Sequence, residues 1–141
     1  MAKAKRLPRL LLVDDEERIL SALRRSLRRE GYEIRTARSV PEALAVLDSE
    51  EIDLILSDHM MPGMTGLELL AEAKRRQPGA ARLLISGWSQ AVAESELEAL
   101  GIRCLIAKPW EDAALKQQLR EALAWSAAGT EARHTFGSRA R

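Results

Sequence analysis

Five times along this chain a short apolar run gives way to a stretch with helical spacing, and that alternation constrains the fold more than any other feature. Leu10–Val13 is continuously apolar and ends in Asp14-Asp15. Residues 17–30 then place Ile19, Leu20, Leu23 and Leu27 on one face, with Arg24, Arg25, Arg28 and Arg29 elsewhere, as a helix requires. Gly31 stops that helix. Tyr32, Ile34 and Thr36 alternate with Glu33 and Arg35, the pattern of a half-exposed edge strand. Ser39, as N-cap, and Pro41 open a second helix with Ala43, Leu44 and Leu47 inward. Ile52–Leu56 reads as a buried strand leading to Ser57-Asp58, and residues 59–66 as a loop punctuated by Pro and Gly. A helix over Leu67–Arg76 stops before Pro78-Gly79. Arg82–Ile85 is a fourth strand, ending at Ser86-Gly87. Residues 90–100 read as a helix with Ala93, Leu97 and Leu100 on one side, ended by Gly101. Arg103–Ala107 is a fifth strand ending at Lys108-Pro109, and residues 112–125 form a last helix with Leu115, Leu119, Ala122 and Leu123 inward.

Parallel strands need crossover connections, and helices make them. The alternation therefore predicts an α/β fold: a parallel five-stranded sheet, doubly wound by right-handed crossovers, with helices on both faces. The 141 residues fit one compact domain. We expect a basic N-terminal tail over 1–7, the domain over 8–125, and a small, polar C-terminal tail over 126–141.

Bulk properties narrow the setting. A net charge of +1 gives no general attraction to nucleic acid or anionic membrane, so direct nucleic-acid binding is not expected. The longest apolar runs are far too short to span a bilayer, and no secretory signal follows the basic start. The one cysteine, Cys104, has no internal disulfide partner and suits a reducing compartment; its expected place is the core of strand five. A cytoplasmic location is the expectation from these together.

In open α/β sheets, ligands bind outside the carboxyl ends of the strands. There this sequence places Asp14 and Asp15 after strand one, Asp58 after strand three, Ser86 after strand four and Lys108 after strand five. Packed carboxylates repel, so such a cluster takes up a proton or a cation. Hard carboxylate oxygens suit Mg²⁺, which binds through one or two carboxylates plus phosphate and keeps several waters. A carboxylate can then attack phosphorus and become an aspartyl-phosphate, with catalysis coming mostly from positioning and charge neutralisation.

At these positions the chain resembles the response-regulator receiver domain of two-component signalling. The resemblance rests on Asp14-Asp15, on Ser57-Asp58-His-Met-Met-Pro-Gly-Met-Thr-Gly66, on Ser86-Gly87 and on Lys108-Pro109, in matching order over roughly residues 8–125. It implies a flavodoxin-like (βα)5 sandwich with strand order 2-1-3-4-5. It implies Asp58 as phospho-acceptor, with Ser86 and Lys108 assisting. Asp15, Asp58 and the Met60 carbonyl would be direct Mg²⁺ ligands, with Asp14 acting mainly through water. It implies a cis bond before Pro109, and a switch in the face made by helix 4, strand 5 and helix 5. The phosphoryl donor would be a sensor histidine kinase or phosphotransfer protein. The receiver of the signal would be a downstream protein, an output domain or a second copy in a homodimer. The Ser-Gly-Trp and Lys-Pro-Trp stretches resemble receivers attached to cyclic-dinucleotide phosphodiesterases or hybrid kinases.

The sequence also departs from the family. Three residues before the lysine, where receivers carry Tyr or Phe, stands Leu105. Trp88 and Trp110 flank the site in sequence and are candidates for another readout. Met60 and Trp88 occupy positions that tune phosphoryl lifetime; both are apolar and poor partners for an attacking water, so slow self-dephosphorylation is expected.

Blander readings exist for each residue. Asp14 and Asp15 could merely cap a helix, Ser86 could be a turn serine, and Lys108 a solvated lysine. His59 is expected to be a surface or loop residue, and His134 a tail residue without a specific role. The helix 1 arginines read as a solvated face, with docking of an acidic partner or nucleic acid as the sharper alternative. Trp125 is expected to end the last helix against the core or a dimer partner. Two rival functions stand beside the leading one. A pseudo-receiver would bind partners without phosphorylation. A phosphohydrolase of the haloacid-dehalogenase type also uses an Asp nucleophile and Mg²⁺, but its Asp-x-Asp pattern and cap domain have no counterpart here. The expectation is no enzyme beyond self-catalysed phosphorylation and dephosphorylation.

Overall fold

The computed structural model describes residues 6–61, 63, 65–87 and 93–127. The elements run β1 (Arg9–Val13), α1 (Glu17–Leu27), β2 (Glu33–Ala37), α2 (Val40–Ser49), β3 (Leu54–Asp58), α3 (Gly66–Arg76), β4 (Ala81–Gly87), α4 (Glu94–Ala99), β5 (Ile102–Lys108) and α5 (Asp112–Ala127). The strands pair in parallel in the order β2-β1-β3-β4-β5, the expected flavodoxin-like arrangement.

Burial explains the unbroken apolar runs Leu10–Val13 in β1 and Leu54–Leu56 in β3. Leu10, Leu12, Leu54 and Leu56 pack with Leu20, Leu23 and Leu27 of α1 and Leu115, Leu119 and Ala122 of α5. The alternate residues Leu11, Val13 and Ile55 pack on the other face with Ala43 and Leu47 of α2 and Leu69, Leu70 and Ala73 of α3. A strand covered on both faces has no polar side to show. Each fully buried leucine contributes about 2 kcal/mol.

Helix starts follow local chemistry. Ser39 Oγ accepts the Glu42 N–H at 3.3 Å, with Pro41 in the first turn of α2. Thr65 and Glu68 form a reciprocal capping box at the start of α3, which satisfies two otherwise unpaired N–H groups. Gly31 and Gly101 both take positive φ; Gly101 follows the C-cap of α4 as the sequence predicts, whereas α1 ends at Leu27, before Gly31 is reached.

Three expectations need correction. α1 ends at Leu27 rather than at residue 30, because Leu27 is its last buried residue and residues 28–30 form turns. α4 is shorter than the 90–100 expected. Residues 90–92 lie outside the described residues, and Ala93 is an exposed, extended N-cap and not a helical residue sharing a side with Leu97 and Leu100. α4 buries no residue fully; Leu97 and Leu100 are half-buried, because four of its six positions are Glu or Ser. Cys104 is half-buried at the edge of the core, since β5 is an edge strand. Trp88, His134 and the Trp125 side chain lie outside the described residues. Among the described residues, no helix is long and apolar enough to cross a membrane.

Candidate functional site

The sheet order brings β1, β3, β4 and β5 side by side, so their carboxyl ends deliver Asp14, Asp58, Ser86 and Lys108 to one rim. Asp14 follows β1 and is buried to 1% exposure; Asp15, beside it, is exposed. One Asp14 oxygen accepts the Glu16 N–H at 2.9 Å, which opens α1 next to the site. The other accepts from Lys108 Nζ at 3.0 Å. The same ammonium lies 2.9 Å from Asp58 Oδ1. Lys108 thus bridges two buried carboxylates from the end of β5. The bond from Lys108 to Pro109 is cis, as expected.

One carboxylate oxygen from each of Asp14, Asp15 and Asp58 lies within 4.8 Å of the others, an arrangement able to hold a cation. This donor set, all hard oxygen and rich in negative charge, fits Mg²⁺. Burial pushes the Asp14 carboxyl above its usual range, and the charge of Asp58 adds to this; the Glu16 N–H and Lys108 work against it. For Lys108, burial alone would lower the pKa, but its bonds to Asp58 and Asp14 outweigh that and raise it. The lysine is therefore held as a cation.

The loop after β3 is pinned from below. The His59 N–H donates to Ile85 O at 3.0 Å, and the Gly66 N–H to His59 O at 2.6 Å. A side chain at Gly66 would collide with the Asp58 carbonyl oxygen, so only glycine lets α3 begin this close to Asp58. Ser57 Oγ donates to the Asp58 carbonyl at 2.9 Å. Ser86, buried at the end of β4, donates to its neighbour's carbonyl, Gly87 O, at 3.1 Å.

The structure brings together Asp14, Asp15, Asp58 and Lys108 by direct geometry, and sets Ser86 on the adjoining strand end. Met60 is half exposed in the loop. Two residues were undervalued in the sequence. Gly66 closes the loop by its punctuation, yet the Thr65-x-x-Glu68 capping pattern marks a helix start there. His59, expected as a surface or loop residue, does lie in the loop after β3 but is buried to 8% exposure, with Nδ1 lacking a hydrogen-bond partner. No periodicity in the loop could reveal that. Trp110 packs against the α1/α5 core and donates its indole N–H to Ser26 Oγ at 3.2 Å. Leu105, in the place of the usual aromatic, is 41% exposed.

Comparison with known proteins agrees with this geometry. Residues 10–120 match the response regulator receiver domain. The chain belongs to that family. It is 36% identical over 124 residues to the transcriptional regulatory protein GlrR of Escherichia coli K12, covering 88% of this chain and 28% of that protein. It is 40% identical over 116 residues to the hydrogenase transcriptional regulatory protein HoxA of Cupriavidus necator, covering 81% of this chain and 24% of HoxA. The receiver thus spans about a quarter of those relatives. Among solved structures, the signal receiver domain of an HD domain-containing protein from Pseudomonas fluorescens Pf-5 superposes with a TM-score of 0.83. It is 34% identical, covering 88% of this chain and all of that one. A CheY-like receiver domain protein from Methanospirillum hungatei JF-1 gives 0.81 at 31% identity, covering 86% of this chain and 98% of the other.

Proposed function

We propose that this receiver accepts a phosphoryl group on Asp58 from a phosphohistidine of a sensor kinase or phosphotransfer protein. The observation that carries the reading is the Lys108 ammonium lying between Asp14 and Asp58, at the mouth of a three-carboxylate cluster. In the transfer, an Asp58 oxygen attacks phosphorus as the P–N bond breaks. The donor imidazole keeps the electron pair. Lys108 balances charge that builds on the phosphoryl oxygens, and the Ser86 hydroxyl turns from Gly87 O to donate to one of them. Asp15, Asp58 and the Met60 carbonyl would hold Mg²⁺, with Asp14 acting through water; the ion would supply charge neutralisation on the phosphoryl group. Asp14 meanwhile keeps Lys108 aimed at Asp58.

The functional unit is residues 8–125. Phosphorylation shifts a two-state equilibrium in the face made by α4, β5 and α5, and that face is read by a downstream protein, an attached output domain or a second copy. The readout differs from that of receivers with an aromatic switch, because Leu105 has no hydroxyl and no ring.

Incubation with acetyl phosphate and Mg²⁺ tests the reading. Intact mass should rise by one phosphoryl group, and the adduct should be absent in Asp58→Asn. A wild-type protein that never takes up phosphoryl would instead be a phosphorylation-independent interaction module.

A further inference from the structure

The connection from β5 to α5 is short and poorly covered. Pro109 and residues 111–114 are exposed, so between Lys108 and Leu115 only Trp110 is drawn into the domain. Its ring packs against the core that α1 and α5 share, and its indole N–H donates to Ser26 Oγ at 3.2 Å. Ser26, in α1, donates in turn to Asp112 Oδ1 at 2.7 Å. Asp112 is the first residue of α5. Chemistry fixes the direction of this chain of bonds. An indole N–H only donates, a carboxylate only accepts, and a hydroxyl does both. Donation to the carboxylate also polarises Ser26 Oγ and makes it the better acceptor for Trp110. One hydroxyl of α1 thus ties down the residue two places after Lys108 and the first residue of the next helix.

Lys108 depends on such support. β5 is an edge strand with β4 as its one neighbour in the sheet. Pro109, next in the chain, has no N–H to add a further backbone bond. Yet the Lys108 ammonium must sit 3.0 Å from Asp14 and 2.9 Å from Asp58. We infer that Ser26 is a positioning residue for phosphoryl acceptance: through Trp110 and Asp112 it fixes the β5–α5 connection and so holds Lys108 aimed at Asp58. Ser26 acts through that connection and not on the phosphoryl group. Its effect on labelling rests on the reading of Asp58 as acceptor. Its effect on the place of Lys108 does not.

Labelling by acetyl phosphate, followed by intact mass over a range of Mg²⁺ concentrations, tests this on the full chain. In Ser26→Ala the rate at saturating Mg²⁺ should fall at least about tenfold, since misplacing a group by about 1 Å can cost about 100-fold. The Mg²⁺ concentration that gives half the maximal rate should not rise, because the three carboxylates stay in place. Trp110→Phe keeps an aromatic ring, removes the N–H, and should slow labelling in the same way. Ser26→Thr keeps the hydroxyl and should label at close to the wild-type rate. Arg120→Gln breaks the other link from α5 to α1, with Glu30 at 2.9 Å, and should leave the rate unchanged. Backbone amide NMR signals of Lys108 and Asp58 should shift in Ser26→Ala and stay put in Arg120→Gln. Wild-type labelling in both Ser26→Ala and Trp110→Phe, with those signals unmoved, overturns the inference. Equal slowing in Arg120→Gln or Ser26→Thr also overturns it, because general stability and not the hydroxyl would then be at work. If the wild type takes up no phosphoryl group, the NMR signals decide alone. A shift in Ser26→Ala then leaves the positioning standing while the acceptor reading falls, and no shift sinks both.

Discussion

Replacing Lys108 with methionine isolates the central electrostatic feature of the site. Methionine keeps most of the stem and removes the charge. The ammonium lies 3.0 Å from Asp14 and 2.9 Å from Asp58. At an effective dielectric of about 20, each contact is worth about 5 kcal/mol before desolvation is counted. Desolvation takes back most of that, and the lysine side chain is 22% exposed, so water screens the rest. Without the lysine, Asp14 at 1% and Asp58 at 7% side-chain exposure face each other with no cation. Breaking a buried pair in this way costs about 3 kcal/mol. Urea unfolding at neutral pH in EDTA should report that loss in Lys108→Met. A divalent ion that binds only the folded state returns stability by mass action, and the more negative variant pocket should bind it more tightly than wild type. The deficit should therefore shrink in millimolar Mg²⁺. A variant within 1 kcal/mol of wild type in EDTA, or a deficit that Mg²⁺ leaves untouched, would refute the account of Lys108 as the resident counterion.

Other outcomes follow from the same geometry. The folded-state pKa of Asp14 is raised, so its ionisation costs stability as pH rises through and above the carboxylate range. In EDTA at neutral pH, Asp14→Asn should be more stable than wild type by about 1 kcal/mol, and thermal melts should show the gap closing as pH falls below the ordinary carboxylate pKa. Gly66→Ala forces a Cβ against the Asp58 carbonyl oxygen and should cost about 2 kcal/mol by overpacking, with slower acetyl-phosphate labelling of Asp58; labelling at the wild-type rate would mean that the loop yields freely. Met60 is half exposed, so Met60→Asn should fold normally and shorten phosphoryl lifetime in a decay assay by offering a hydrogen bond to water.

Most of the sheet was legible because its strands carry two signals at once, an apolar run and a chemically distinct residue where the run stops. Leu54–Leu56 followed by Asp58, and Ile106 followed by Lys108, mark strand ends without any structure. Helices with a strong apolar stripe, such as that of Leu20, Leu23 and Leu27, were equally plain, although propensity extended α1 through arginines that favour helix and lie past the last core contact. α4 was the weakest reading. Its apolar residues are few, its stripe buries little, and its C-terminal carbonyls at Ala99 and Leu100 accept from Lys74 and Arg82, which lie in α3 and β4. The burial of His59 was hidden for a related reason: its loop is folded back by the Gly66–His59 bond, and no local pattern encodes such a return. The pairing of Asp14 with Lys108 joins residues at opposite ends of the chain, so strand order had to be known before it could be read.

The edge position of β5 sets a length scale. Lys108, which grips the two aspartates, and Leu105, open to solvent, are three residues apart on one strand, a span of about 10 Å. News of the pocket's charge therefore need not cross the domain. Under the proposed phosphorylation of Asp58, a change in the grip on Lys108 would be a pull along a single extended segment, felt on the same strand's outer flank. Sensing and display would then share one piece of backbone.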